Sequence, residues 1–178
     1  MTLATAHLVP GLLLLAFGVP LALNLGAFRA ALLAFPRSAA ATYLFFGGAA
    51  AWFLHAIWHL SPADFGEYRH WLFGGFVIVA GLSFKCVPDF LAVRGVCGLV
   101  LMGAMPLLDA AYMEAPPQRK LMVAAVYVGI ALAIWLGAQP YRMRDFLGWL
   151  FARPGRARTV GAALAGYGLL LCGVAFTY

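Results

Sequence analysis

The sequence predicts an all-α integral membrane protein: a polytopic bundle of six transmembrane helices, or five at the lower count, with a short amphipathic segment in the interface. Three observations carry this. Hydrophobic residues make up 65% of the 178 and charged ones only 10%, whereas soluble domains carry about 25% charged residues. A chain this short has too few polar residues to cover so much apolar side chain in water. Apolar runs of about the 20 residues that a helix needs to cross the hydrocarbon also recur along the chain, separated by short polar or proline-containing breaks. One membrane domain, residues 1–178, is all that this length accommodates.

The first run, Leu8 to Phe28, is followed by Arg29 and a short stretch, Ala30 to Phe35, that stops at Pro36 and Arg37. It reads as a span and an interfacial turn. Pro10, Pro20 and Asn24 interrupt the run and no basic region precedes it, so neither a cleaved signal peptide nor a lipid anchor is expected. The second span is Ala39 to Leu60, closed by Ser61 and Pro62, because proline cannot continue a helix. The third, Trp71 to Val87, is the shortest and carries Lys85 near its end, where the stem can lift the ammonium to the headgroups. The fourth, Gly95 to Met113, contains Pro106 and holds Asp109 in its last two turns. The fifth, Leu121 to Ala138, stops at Gln139 and Pro140. Tyr141 to Arg158 sets Phe146, Leu147, Trp149, Leu150 and Phe151 among five arginines, the pattern of a helix lying in the interface. The sixth span, Val160 to Tyr178, has no charged side chain.

The net charge of +6 rests on twelve basic residues in short clusters between apolar runs. No basic tail or nucleic-acid motif accompanies it, so nucleic acid is not an expected partner; such clusters orient a membrane protein by the positive-inside rule. Arg29, Arg37, Lys85, Arg94, Arg142, Arg144, Arg153, Arg156 and Arg158 fall on one side of a six-span layout, against Arg69, Arg119 and Lys120 on the other. Both termini are therefore expected outside, in the periplasm, for a protein of a bacterial inner membrane. Cys86, Cys97 and Cys172 form no CxxC pair and lie in or beside apolar runs, which argues against a disulfide framework. The two halves of the chain share no motif of the kind inverted-repeat transporters carry.

In this layout all four histidines reach the outer side: His7 before the first span, His55 and His59 one turn apart at the end of the second, and His70 opening the third. Asp109 comes to a similar depth, as do Asp64 and Glu67. His55, His59, His70 and Asp109 are the candidate ligands of a divalent transition metal, of a single haem, or of a proton relay. The alternative is that they are interfacial side chains bonded to loop backbone and water. A zinc-peptidase motif is excluded, because Ala56 stands where the glutamate after the first histidine belongs. A two-haem cytochrome would need histidines in both leaflets.

On the inner side Lys85 and Arg94, around Pro88 and Asp89, and the arginines Arg142, Arg144, Arg153, Arg156 and Arg158 are candidate contacts for acidic lipid or another anion. Ala162, Gly166 and Gly173, like Gly47 with Ala51 and Gly74 with Gly81, have the small-residue spacing that lets helices approach closely, expected to serve packing within the bundle, with a dimer interface as the alternative. No nucleophile elbow, Walker loop, dinucleotide fingerprint or histidine-rich oxidase box is present. The leading expectation is a non-catalytic membrane component, a subunit or accessory chain with protein partners in the membrane. A small transporter or channel lined by the outer His/Asp site is the second, and a metal- or haem-binding redox protein the third.

Overall fold

The computed structural model describes all 178 residues and is all-helical. Its helices are α1 (Leu3–Ala22), α2 (Gly26–Ala34), α3 (Ala39–Trp58), α4 (Arg69–Cys86), α5 (Leu91–Ala111), α6 (Arg119–Ala138), α7 (Tyr141–Phe151) and α8 (Pro154–Ala175). Short 3-10 turns occupy Phe35–Arg37, Pro62–Asp64 and Gly66–Tyr68.

Local chemistry sets the helix ends. The Thr2 hydroxyl accepts from the Thr5 amide at 3.3 Å to open α1, and the Ser38 hydroxyl accepts from the Ala41 amide at 3.2 Å to open α3. Pro154 stands in the first turn of α8, where its missing N–H costs nothing. Pro10 and Pro20 lie inside α1 and Pro106 inside α5, and both helices continue through them. The chain leaves α1 through Asn24 and α5 through Met113, and enters α5 through Phe90, all in the left-handed region.

Five helices, α1, α3, α5, α6 and α8, are long and apolar enough to cross a membrane. α4 has 18 residues, about 27 Å at 1.5 Å per residue, but carries Arg69, His70, Ser83 and Lys85 and is less apolar. Its direction follows from an aromatic ladder against α3. Phe46 meets Phe84 at 5.2 Å, Phe53 meets Phe76 at 4.9 Å and Trp58 meets Phe73 at 5.2 Å between ring centroids, so the two helices are antiparallel.

α3 and α5 run parallel, with Gly95 against the backbone of Phe45 and Phe46, Gly98 facing Ala49, and Gly103 facing Trp52. α4 is the return stroke that this parallel pair requires. α5 and α6 form an antiparallel hairpin, in which Gly137 faces Cys97 and Gly129 faces Val100.

The closest pairing is between α1 and α8, the helices nearest the two ends of the chain. Cβ atoms placed on Gly18 and Gly161 would meet each other's carbonyl oxygens at 2.9 and 2.8 Å, and one on Gly168 would meet the Gly11 carbonyl at 2.8 Å. Only glycine permits this approach. The seam repeats every seven residues on each helix, Gly11 to Gly18 and Gly161 to Gly168, the spacing of a left-handed helix pair. Ala162, Gly166 and Gly173, expected from their spacing to pack within the bundle, instead lie exposed on the opposite face of α8. Gly47, Gly74 and Gly81 likewise have nothing within 4 Å of an added Cβ.

These pairings place the N-terminus, the α3–α4 loop, the α5–α6 loop and the C-terminus at one end of the bundle. α2, the α4–α5 loop and α7 lie at the other. α7 is the helix expected within residues 141–158, while Arg156 and Arg158 belong to the first turns of α8, which begins at Pro154.

Candidate functional site

The first end carries the histidines. His55 and His59, one turn apart, bring their rings to 4.2 Å between centroids with a 35° tilt. His59 Nδ1 lies 2.8 Å from the His55 carbonyl oxygen. A nitrogen there must donate, so in the neutral ring it is Nε2 of His59 that carries the lone pair. His70 packs edge-on against Trp58 at 5.4 Å. All three are exposed, and so is Asp109, whose carboxylate has no ion-pair partner. The structure thus brings two of the four candidate ligands together, and no three of the His, Cys, Asp and Glu side chains converge on one point.

The fourth histidine is the exception. His7 is fully buried at the junction of α1, the start of α6 and the C-terminus. Its Nδ1 lies 3.0 Å from the Leu3 carbonyl oxygen and its Nε2 3.5 Å from that of Gln118, while its ring meets Tyr178 at 5.0 Å. Two neighbours complete the junction: Arg119 Nη1 donates to the Ala111 carbonyl at 2.8 Å, capping α5, and the Tyr167 hydroxyl donates to the Leu121 carbonyl at 2.8 Å. Position in the sequence alone placed His7 in an outer segment ahead of the first span; its location inside helix α1 is what buries it.

The second end is strongly basic. It gathers nine of the twelve lysines and arginines against two carboxylates, Asp89 and Asp145, and the one ion pair in the chain is Arg144 with Asp145 at 2.9 Å, between exposed neighbours. Four of the other arginines lean on aromatic faces. Arg29 lies over Phe151 at 5.4 Å, Arg37 over Phe90 at 5.9 Å, Arg142 over Trp135 at 5.5 Å and Arg156 over Trp149 at 4.8 Å. Arg142 also donates to Gln139 Oε1 at 2.9 Å, and Arg156 to the Trp149 carbonyl at 3.0 Å. Lys85, Arg153 and Arg158 are exposed, and Arg94 is half-buried in the first turn of α5. Apolar contacts hold this layer to the bundle: Leu21, Leu147, Leu150, Phe151 and Ala157 form one buried cluster, with Phe28 and Leu32 of α2 against it.

Between α2, the start of α5 and α7 this layer opens into a cleft of about 110 Å³ lined by Leu33, Pro36, Arg37, Phe90, Arg144 and Leu147. Sequence spacing had pointed to Arg144 and not to Arg37, because the two arginines are joined only by the packing of α2 on α7.

No protein-family model, curated protein or solved structure matches the chain. The fold defines its class: an all-helical protein with five helices that fit a membrane, polar at both ends and strongly basic at one.

Proposed function

We propose that the chain is a non-catalytic, six-pass component of a bacterial inner membrane, with both termini on the periplasmic side, that serves as a subunit or accessory protein of a larger membrane assembly. The observation that carries this reading is α4. It contributes no buried residue and docks through its aromatic ladder on α3, leaving Ile78, Val79 and Leu82 exposed beside the open Gly74, Gly75 and Gly81. A helix of modest apolarity with a bare glycine face gains little from lipid and much from a neighbouring helix, since close backbone approach is what drives association within a bilayer. The gathering of nine basic residues at one end supports the orientation by the positive-inside rule. Exposure of His55, His59 and Asp109 on the outer rim favours this reading over a transport pathway lined by them.

A photo-crosslinking residue at Ile78 or Leu82, introduced in native membranes, tests it. The expected result is one discrete product with a second protein from both positions and none from Leu13, an exposed position on α1. Adducts with lipid alone from both α4 positions, in a chain that is extracted as a lone monomer, would remove the subunit reading.

A further inference from the structure

We propose that the cleft between α2, α5 and α7 is a specific site for one acidic phospholipid, with Arg37 and Arg144 holding the phosphate and the apolar wall taking the start of an acyl chain. The inference is independent of whether a protein partner covers α4.

The cleft combines features that a diffuse basic surface lacks. It is a formed space of about 110 Å³ with two guanidinium side chains and four apolar or aromatic residues in its lining. Arg37 has no carboxylate partner: its guanidinium carbon lies 5.9 Å from the Phe90 ring centroid, and the only ion pair in the chain is that of Arg144 with Asp145. Arg144 gives Nε and Nη2 to Asp145 at 3.1 and 2.9 Å, which leaves Nη1 for an anion. Two arginines lining one space supply the donors that match the oxygens of a phosphate, for which arginine forks are suited. Asp145 opposes an anion at this place, so the site favours a ligand that also gains apolar contact, from Leu33, Pro36 and Leu147. A phospholipid has both parts; free phosphate has one.

Depth points the same way. Arg37 closes the turn before α3 and Phe90 is the residue that opens α5, so the cleft lies where two spans begin, at headgroup level in a bundle that crosses a bilayer. Phe90 holds this position at φ 58°, ψ 19°, a left-handed conformation costly for a bulky side chain and one that accumulates at ligand-binding places. In that conformation its ring lies beneath Arg37 and forms one wall of the cleft.

The test is native mass spectrometry of the full chain purified in mild detergent and titrated with phosphatidylglycerol, with phosphatidylcholine and inorganic phosphate as separate arms. The expected result is one tightly retained phosphatidylglycerol, weakened at least about tenfold in Arg37→Gln/Arg144→Gln, which removes charge-assisted hydrogen bonds. Leu33→Trp, which fills the cleft and leaves every charge in place, should weaken it similarly. Arg153→Gln/Arg158→Gln removes the same charge from the same end and should leave retention essentially unchanged; circular dichroism confirms that each variant is folded. Equal loss in both arginine pairs would mean diffuse attraction and overturn the proposal. Equal retention of phosphatidylcholine would overturn recognition of an acidic headgroup. Displacement of the lipid by inorganic phosphate would make the site one for free phosphate, and the lipid assignment would fall.

Discussion

Gly161 of α8 lies on the backbone of Gly18 in α1, so close that a methyl group on either would meet the other's carbonyl oxygen at under 3 Å. This contact joins the two helices nearest the chain ends and closes the bundle. Gly161→Leu should therefore destabilise the protein by at least about 2 kcal/mol, in the range of overpacking in a tight core. Gly166→Leu, one turn away on the open face, should be neutral within about 0.5 kcal/mol. Unfolding of the purified variants in a graded detergent series measures both.

His7 is predicted to act as a bolt between α1 and α6. Its two ring nitrogens face two carbonyl oxygens, at 3.0 and 3.5 Å, within a fully buried pocket closed by Tyr178. Replacing it by Leu keeps the volume and removes both ring nitrogens, leaving the Gln118 carbonyl without the one that faces it. The expected cost is about 1–3 kcal/mol, accompanied by faster amide exchange at residues 118–122. A stability change without increased exchange there would show that His7 contributes packing alone.

The all-helical class and the approximate helix positions were legible in the sequence because each depends on local composition: apolar length makes a helix, and Pro36, Pro62, Pro88 and Pro140 punctuate. Which helix faces touch was not legible. Ala162, Gly166 and Gly173 have the small-residue spacing of a seam, as do Gly161 and Gly168, and periodicity cannot choose between two faces of the same helix. The partner face decides: α1 offers Gly11 and Gly18, and these meet Gly161 and Gly168. The histidine site shows the same limit. His55 and His59 share a face by spacing and do pair, whereas joining His70 and Asp109 to them needed a convergence of three helices that spacing does not encode.

α4 is expected to cross the membrane although it is not among the five helices that are long and apolar enough by composition alone. α3 and α5 are parallel neighbours, so the chain must return along their full length between Trp58 and Leu91, and α4 is the only element that does so. Single cysteines at Ser61 and Glu114 should react with a membrane-impermeant maleimide from one side of sealed vesicles. The native Cys86 and a cysteine at Gly155 should react only from the other. Labelling of Ser61→Cys and Cys86 from the same side would place α4 on the surface and reduce the count to five spans.

His55 and His59 are predicted to bind a transition metal only as a pair, and weakly. Two imidazoles in contact on adjacent turns, one with its Nδ1 committed to a carbonyl and its Nε2 free, supply two ligands of the three or four that a tight site uses. His70, turned against Trp58, and Asp109, at the end of α5, do not complete the set. Copper titrated into the purified chain should therefore bind with an affinity that either His55→Ala or His59→Ala abolishes and that His70→Ala and Asp109→Asn leave unchanged. The bound metal should be removed by dilute imidazole, which competes readily against two ligands. Stoichiometric metal or haem that survives purification and is lost on changing His70 or Asp109 would mean that α3, α4 and α5 rearrange to build a closed site, and would move the redox reading ahead of the subunit reading.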